Sequence, residues 1–84
     1  MELKDTIELM QSDCYKDRLI AEYLQAKIRH QKLGEYINKL IAGRAQVQYP
    51  AQTFLLGGQL ASLASYIESL EARACYEEIE LPEV

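Results

Sequence analysis

The chain has 84 residues, a formal net charge of −4 at neutral pH and 49% apolar residues. That suffices for one small domain and is too apolar for a disordered tail, but a domain this small is marginal without metals, disulfides or partner chains. The acidic balance argues against a nucleic acid polymer as partner, which needs a basic face, and leaves room for a pocket that takes one small anion.

Residues 2–11 carry Leu3, Ile7 and Met10 at helical spacing, which predicts a short first helix. The opening Met1–Asp5 lacks the basic-then-apolar layout of a secretion signal, and no stretch approaches the roughly eighteen apolar residues of a membrane span. A cytoplasmic protein with no membrane partner is expected.

Ser12 or Asp13 is suited to cap a second helix over about 13–42. Its apolar seam, Leu19, Tyr23, Ala26, His30, Leu33, Ile37 and Leu40, alternates steps of four and three. Ile20, Leu24, Ile28, Tyr36 and Ile41 widen that seam, and Gly43 is placed to terminate the helix. A turn over 43–50 follows, with Pro50 in the first turn of a third helix over about 51–78.

One face of that helix carries Leu56, Leu60, Leu63, Ile67, Leu70 and Ala74. Gly58, Ser62, Ser65, Ser69 and Ala72 form a second stripe, offset by two residues, or about 200°. Small residues there admit the backbone of another helix; the alternative is a serine- and alanine-rich surface that touches nothing. Gly57-Gly58 inside a helix costs about 1–2 kcal/mol against alanine, unless the helix starts near Gln59. The acidic tail 79–84 is expected to fray, with Ile79 and Leu81 available to a neighbouring chain. The expected fold is all-α, one domain over 1–84: a short N-terminal helix and a long antiparallel helical hairpin, assembled into a homo-oligomeric bundle. Two opposed seams favour a tetramer or larger.

The sequence holds no GxSxG, HExxH, P-loop or GxGxxG pattern. Cys14 and Cys75 are isolated, and with a single histidine they offer no zinc-ligand spacing; both are expected reduced and semi-buried. Cys14 and His30 on one helix stand about 24 Å apart, too far for a nucleophile–base couple. A protein that is not an enzyme, with no cofactor or metal, is expected.

Between Tyr15 and Lys32 the cations Lys16, Arg18, Lys27, Arg29 and Lys32 outnumber Asp17 and Glu22, with Tyr15 and Tyr23 interleaved. The Ser12–Arg18 stretch opens a helix, where free N–H groups and the helix dipole favour an anion. Tyr15 is placed to stack on a base, and Lys16 or Arg18 to meet a phosphate. Lys27 and Arg29 lie roughly 16–21 Å further along, so two protomers are needed to gather all these cations. The alternative is a solvated face with pairs such as Arg18–Glu22. Likewise His30 reads either as a core histidine or as a ligand contact, and Arg73 pairs either with Glu77 or into a partner's site. Tyr36, Tyr66 and Tyr76 read as packing residues with their hydroxyls at the edge.

The runs ELMQSDCYKDRLIAEYLQAKIRHQKL and YPAQTFLLGGQLASLASYIESLEARACYEEIEL resemble a family of small phage and prophage proteins related to a protein of crAss-like phages. The most specific parts are Ser12, Tyr15-Lys16 and Arg18, then Glu22-Tyr23 with Gln25, then Leu70–Ala74; the match is weakest around Gly57-Gly58. The layout is also similar to phage sponge proteins that defeat the CBASS and Thoeris defences, which oligomerise and sequester cyclic nucleotide signals without cleaving them. The proline-rich motif of those sponges is absent, so this second likeness is one of architecture. The resemblance implies an anti-defence protein that holds a cyclic oligonucleotide or cyclic ADP-ribose signal between protomers. Tyr15 would stack on a base, Lys16 and Arg18 would contact phosphates, and Ser12 and Gln25 would supply further hydrogen bonds to the ligand, while Lys27, Arg29 or Arg73 would come from another chain. The competing expectation is a helical interaction module, an inhibitor or adaptor acting on a host or phage protein; a third is a purely structural phage component.

Overall fold

The computed structural model describes residues 1–43 and 52–83, which are helical throughout their regular parts and contain no strand. A single 3-10 turn, Leu3–Thr6, runs straight into α1, Ile7–Met10; α2 spans Tyr15–Ile41 and α3 spans Gln52–Tyr76. Of the predicted turn, residues 44–50, Pro50 included, lie outside the described residues. Gly57 and Gly58 lie within α3, so the helix does not wait for Gln59.

The first turn is closed by a reciprocal capping box between Glu2 and Asp5, in which the Glu2 amide donates to Asp5 Oδ2 at 2.8 Å. Its inward residues differ from the expected stripe. Thr6 is fully buried and Leu9 packs on the core, whereas Ile7 and Met10 are exposed. The initial 3-10 winding, three residues per turn, rotates that segment away from the α-helical spacing assumed for Leu3, Ile7 and Met10.

Helix α2 also starts later than expected. Cys14, extended at ψ 124, takes the capping position, and no side chain caps the helix directly. Ser12 works one step back: its hydroxyl accepts from the Cys14 amide at 3.0 Å and donates to Asp17 Oδ2 at 2.8 Å. At the far end Gly43 adopts φ 72, and its amide donates to the Leu40 carbonyl, the left-handed stop expected of a glycine.

Helix α2 is the middle layer. Leu19, Tyr23, Ala26, Ile37 and Leu40 are buried on its expected seam. Ala21, Leu24 and Ile28 are buried on a second face, beside Gln25, whose amide reaches Thr6 Oγ1 at 2.9 Å. The N-terminal segment therefore covers one side of α2 and α3 the other. Lys32 pairs with Glu2 at 3.1 Å and holds the start of that segment along the helix.

The hairpin packs most tightly where α2 begins and α3 ends. Ile67, Leu70 and Ala74 join Leu19, Tyr23, Leu24 and Ala26 in one cluster, with Leu70 wholly enclosed. Leu56, Leu60 and Leu63 are only half-buried, and Phe54 and Leu55 are exposed towards the tip.

The tail does not fray as expected. Glu78 takes the left-handed conformation at φ 56, its amide donates to the Cys75 carbonyl, and the Ile79 amide donates to the Ala74 carbonyl at 2.8 Å. These two bonds are those of a Schellman motif, with glutamate at the position glycine usually fills. The motif turns the chain back so that Ile79 is buried in its own protomer's core, and Leu81 packs against it. Hydrophobic burial holds the turn: enclosing an isoleucine side chain contributes about 1.5–3 kcal/mol, more than the roughly 1–2 kcal/mol that a left-handed non-glycine residue costs.

Candidate ligand-binding face

Side chains at seven-residue intervals stay near one line along a helix. Tyr15, Glu22 and Arg29 form such a line on α2, and Arg73, Tyr66 and Gln59 form the opposing line on α3. The antiparallel hairpin sets them against one another as rungs. At the first rung Arg73 Nη2 donates to the Tyr15 hydroxyl at 2.7 Å, and that hydroxyl donates to Glu77 Oε2 at 3.3 Å. Arg73 Nε also lies 3.8 Å from Glu77 Oε2. At the second rung the Tyr66 hydroxyl donates to Glu22 Oε1. The third, Arg29 and Gln59, is open.

That third rung belongs to a groove of about 580 Å³ between the helices, lined by Arg29, Lys32, Leu33, Gln59, Ser62 and Leu63. Leu33 and Leu63 are half-buried in its floor, and no carboxylate lines it. Arg29 is exposed and makes no hydrogen bond or ion pair among the described residues. Lys32, Gln59 and Ser62 were not singled out as ligand contacts from sequence; Lys32 stood among the cations and Ser62 among the small residues, but nothing local places them across from each other.

The other expected site residues separate. Arg18 Nη1 donates to the Ser12 carbonyl at 2.9 Å, not to Glu22, so Ser12, Asp17 and Arg18 knot together at the helix start. Lys16, about 100° around the helix from Tyr15, is exposed and has no partner among the described residues. Gln25 is spent on Thr6 and on the Met10 sulfur, away from the first rung. Lys27 Nζ lies 6.0 Å from the centre of the Tyr23 ring, the outer range of a cation–π contact. Arg73 meets both Glu77 and Tyr15 of its own chain.

The electrostatics follow from these contacts. The hydrogen bond from Arg73 to Tyr15, followed by the field of Tyr15, raises the guanidinium above its ordinary pKa; desolvation opposes the shift, and the weaker fields of Glu22 and Glu77 add to it. Cys14 and Cys75 are both free and exposed rather than semi-buried. His30 is half-buried without a hydrogen bond among the described residues. Among those residues no three histidines, cysteines or acids converge on a metal position, and no helix is long and apolar enough to cross a membrane.

No curated protein and no solved structure matches this chain. A family model, Sequestin, matches residues 13–76, from the knot ahead of α2 to the last residue of α3 and so across the whole described hairpin. The chain belongs to the Sequestin family.

Proposed function

We propose that this protein binds and sequesters a cyclic nucleotide immune signal, of the cyclic oligonucleotide or cyclic ADP-ribose type, without cleaving it. The family name is consistent with holding a molecule. The observation that carries the reading is the side of the hairpin where Arg29 and Arg73 alternate with the Tyr15 and Tyr66 rings in a chain of net charge −4. Guanidinium groups and flat rings are the chemistry that takes phosphates and bases. Ser12, Lys16, Arg18, Gln25 and Lys27 complete the set of candidate contacts. In this reading the protein is a phage product that evades CBASS- or Thoeris-type defence in the cytoplasm of an infected or lysogenic bacterium.

Sequestration needs tight binding: a nanomolar Kd is worth about −12 kcal/mol, which several charged hydrogen bonds and a stacked ring must supply together. Pockets between protomers meet that need. Support for self-association comes from α3, whose Gly57, Gly58, Ser62, Ser65, Ser69 and Ala72 are exposed in the protomer. Isothermal calorimetry against cyclic di- and trinucleotides and cyclic ADP-ribose isomers tests the reading. Heat of binding is expected, with the ligand recovered intact after the protein is denatured; silence across the panel overturns it.

A second reading, a helical inhibitor or adaptor docking on another protein, is favoured by one observation. Ile41, Phe54 and Leu55, at the ends of α2 and α3 nearest the hairpin tip, are 73%, 83% and 56% exposed. Recovery of one stoichiometric host or phage protein, together with no response to nucleotides, decides for it.

A further inference from the structure

Tyr15, Arg18 and Arg73 already have partners in their own chain. A phosphate arriving at the first rung competes with the Tyr15 hydroxyl and Glu77 for Arg73, and with the Ser12 carbonyl for Arg18. Arg29 stands about 21 Å away, two heptads along α2, so one small ligand does not span both places. Arg29 itself has no partner to be displaced among the described residues, although Lys32 beside it is paired with Glu2.

We infer that the groove between α2 and α3 at Arg29 and Gln59 is a binding site for a phosphate-bearing small molecule with an unsaturated ring. The inference rests on the sequestration reading and places its ligand in the groove of a single protomer rather than between protomers. Arg29 offers a planar fork of donors to phosphate oxygens, and Lys32, 3.1 Å from Glu2, adds a second positive charge on the same rim. Leu33 and Leu63 form an apolar floor for a ring; Gln59 offers its amide to the ring edge, and the Ser62 hydroxyl, which donates to the Gly58 carbonyl at 3.1 Å, offers its oxygen as an acceptor. About 580 Å³ lies within the range of small-molecule pockets, none of the six lining residues is a carboxylate, and the Glu2 carboxylate at its edge is held by Lys32 at 3.1 Å. The contrast between the two closed rungs and the open third points the same way: where Glu22 and Glu77 satisfy the first two, the third sets Arg29 opposite Gln59, with no acid across from it.

The test uses calorimetry and amide NMR on the full chain and on its Arg29→Gln and Ser62→Trp variants, both at exposed positions, with circular dichroism to verify folding. The probes are 3′,3′-cyclic di-AMP, cyclic ADP-ribose and, as an acyclic control, ADP. The expected result is shifts concentrated at residues 29–33 and 59–63, and a loss of about tenfold or more in affinity in each variant. If ADP alone binds there, the groove stands and the cyclic-signal reading falls. If a cyclic probe binds with shifts confined to Tyr15, Arg18 and Arg73, and both variants bind like the parent, the groove is overturned and the sequestration reading survives. If none of the three probes binds, the groove is overturned, and the sequestration reading falls with it only if the full panel of cyclic di- and trinucleotides and cyclic ADP-ribose isomers is silent too.

Discussion

The Tyr15 hydroxyl and Arg73 Nη2 meet at 2.7 Å across 58 positions of chain, tying the first residue of α2 to the last turn of α3. The bond also sets the charge behaviour of Arg73. Its pKa is raised on folding, so its contribution to stability is complete below the unfolded value and is lost only as pH rises through the still higher folded one.

Tyr15→Phe and Arg73→Ala are each expected to lower the thermal midpoint slightly, because both groups are exposed. The deficits should be unchanged between about pH 6 and about pH 9, where arginine stays charged in both states. In a double-mutant cycle the second substitution should cost less than it does alone. Additive effects would show that the contact does not couple the helices.

Ile79→Ala is expected to destabilise by about 2–4 kcal/mol in urea unfolding, as a buried isoleucine truncated beside Ala74 and Leu70 should. Glu78→Gly should act in the opposite sense and stabilise by up to about 1 kcal/mol, since glycine adopts φ 56 without the strain that a side chain brings. A silent Ile79→Ala would mean that the tail is not seated in solution.

Gln25→Ala should loosen the N-terminal segment selectively. Thr6 Oγ1 keeps its own bond to the Leu3 carbonyl at 2.7 Å but loses the donor that ties it to α2, a net cost of about 0.5–1.5 kcal/mol. Hydrogen exchange should quicken over residues 3–10 and stay unchanged in the middle of α3. Uniform quickening would contradict the layered arrangement.

The glycines separate protomer stability from assembly. A Cβ on Gly34 would meet Leu60 Cδ1 at 3.9 Å, an ordinary contact, so Gly34→Ala should stabilise by about 1 kcal/mol. Gly57→Ala and Gly58→Ala have open space around them and should each stabilise the isolated chain by a similar amount. If α3 is also an interface, the same two changes should weaken association in sedimentation runs. An unchanged mass would locate any oligomer contact elsewhere.

The seam of α2 was legible because burial follows helical spacing: Leu19, Tyr23, Ala26, Ile37 and Leu40 are inside as their positions require. The stop at Gly43 was legible because glycine, having no Cβ, adopts φ 72 without strain. Ile7 and Met10 misled because a 3-10 turn changes the angular step before α1 begins. Ile79 misled for a related reason, since an acidic residue at Glu78 gives no sign of a left-handed turn. The site was legible only by halves. Arg29 stood out by charge, but Gln59 and Ser62 are ordinary surface residues until the offset of α3 against α2 is known. Arg18 and Gln25 are expected as ligand contacts; within the protomer Arg18 is bonded to the Ser12 carbonyl and Gln25 to Thr6, partners that helical spacing does not reveal.

That offset brings out a further consequence of the rungs. An apolar seam repeating in steps of four and three looks nearly the same after a slide of seven residues, so leucines alone do not choose between adjacent alignments of the hairpin. Tyr15 with Arg73 and Glu22 with Tyr66 are spaced by the same seven residues, and a slide in either direction parts both pairs at once. They act as a vernier on an otherwise repetitive scale. By fixing the alignment they also decide that Arg29 arrives opposite Gln59, so the open groove is placed by contacts one and two heptads away from it.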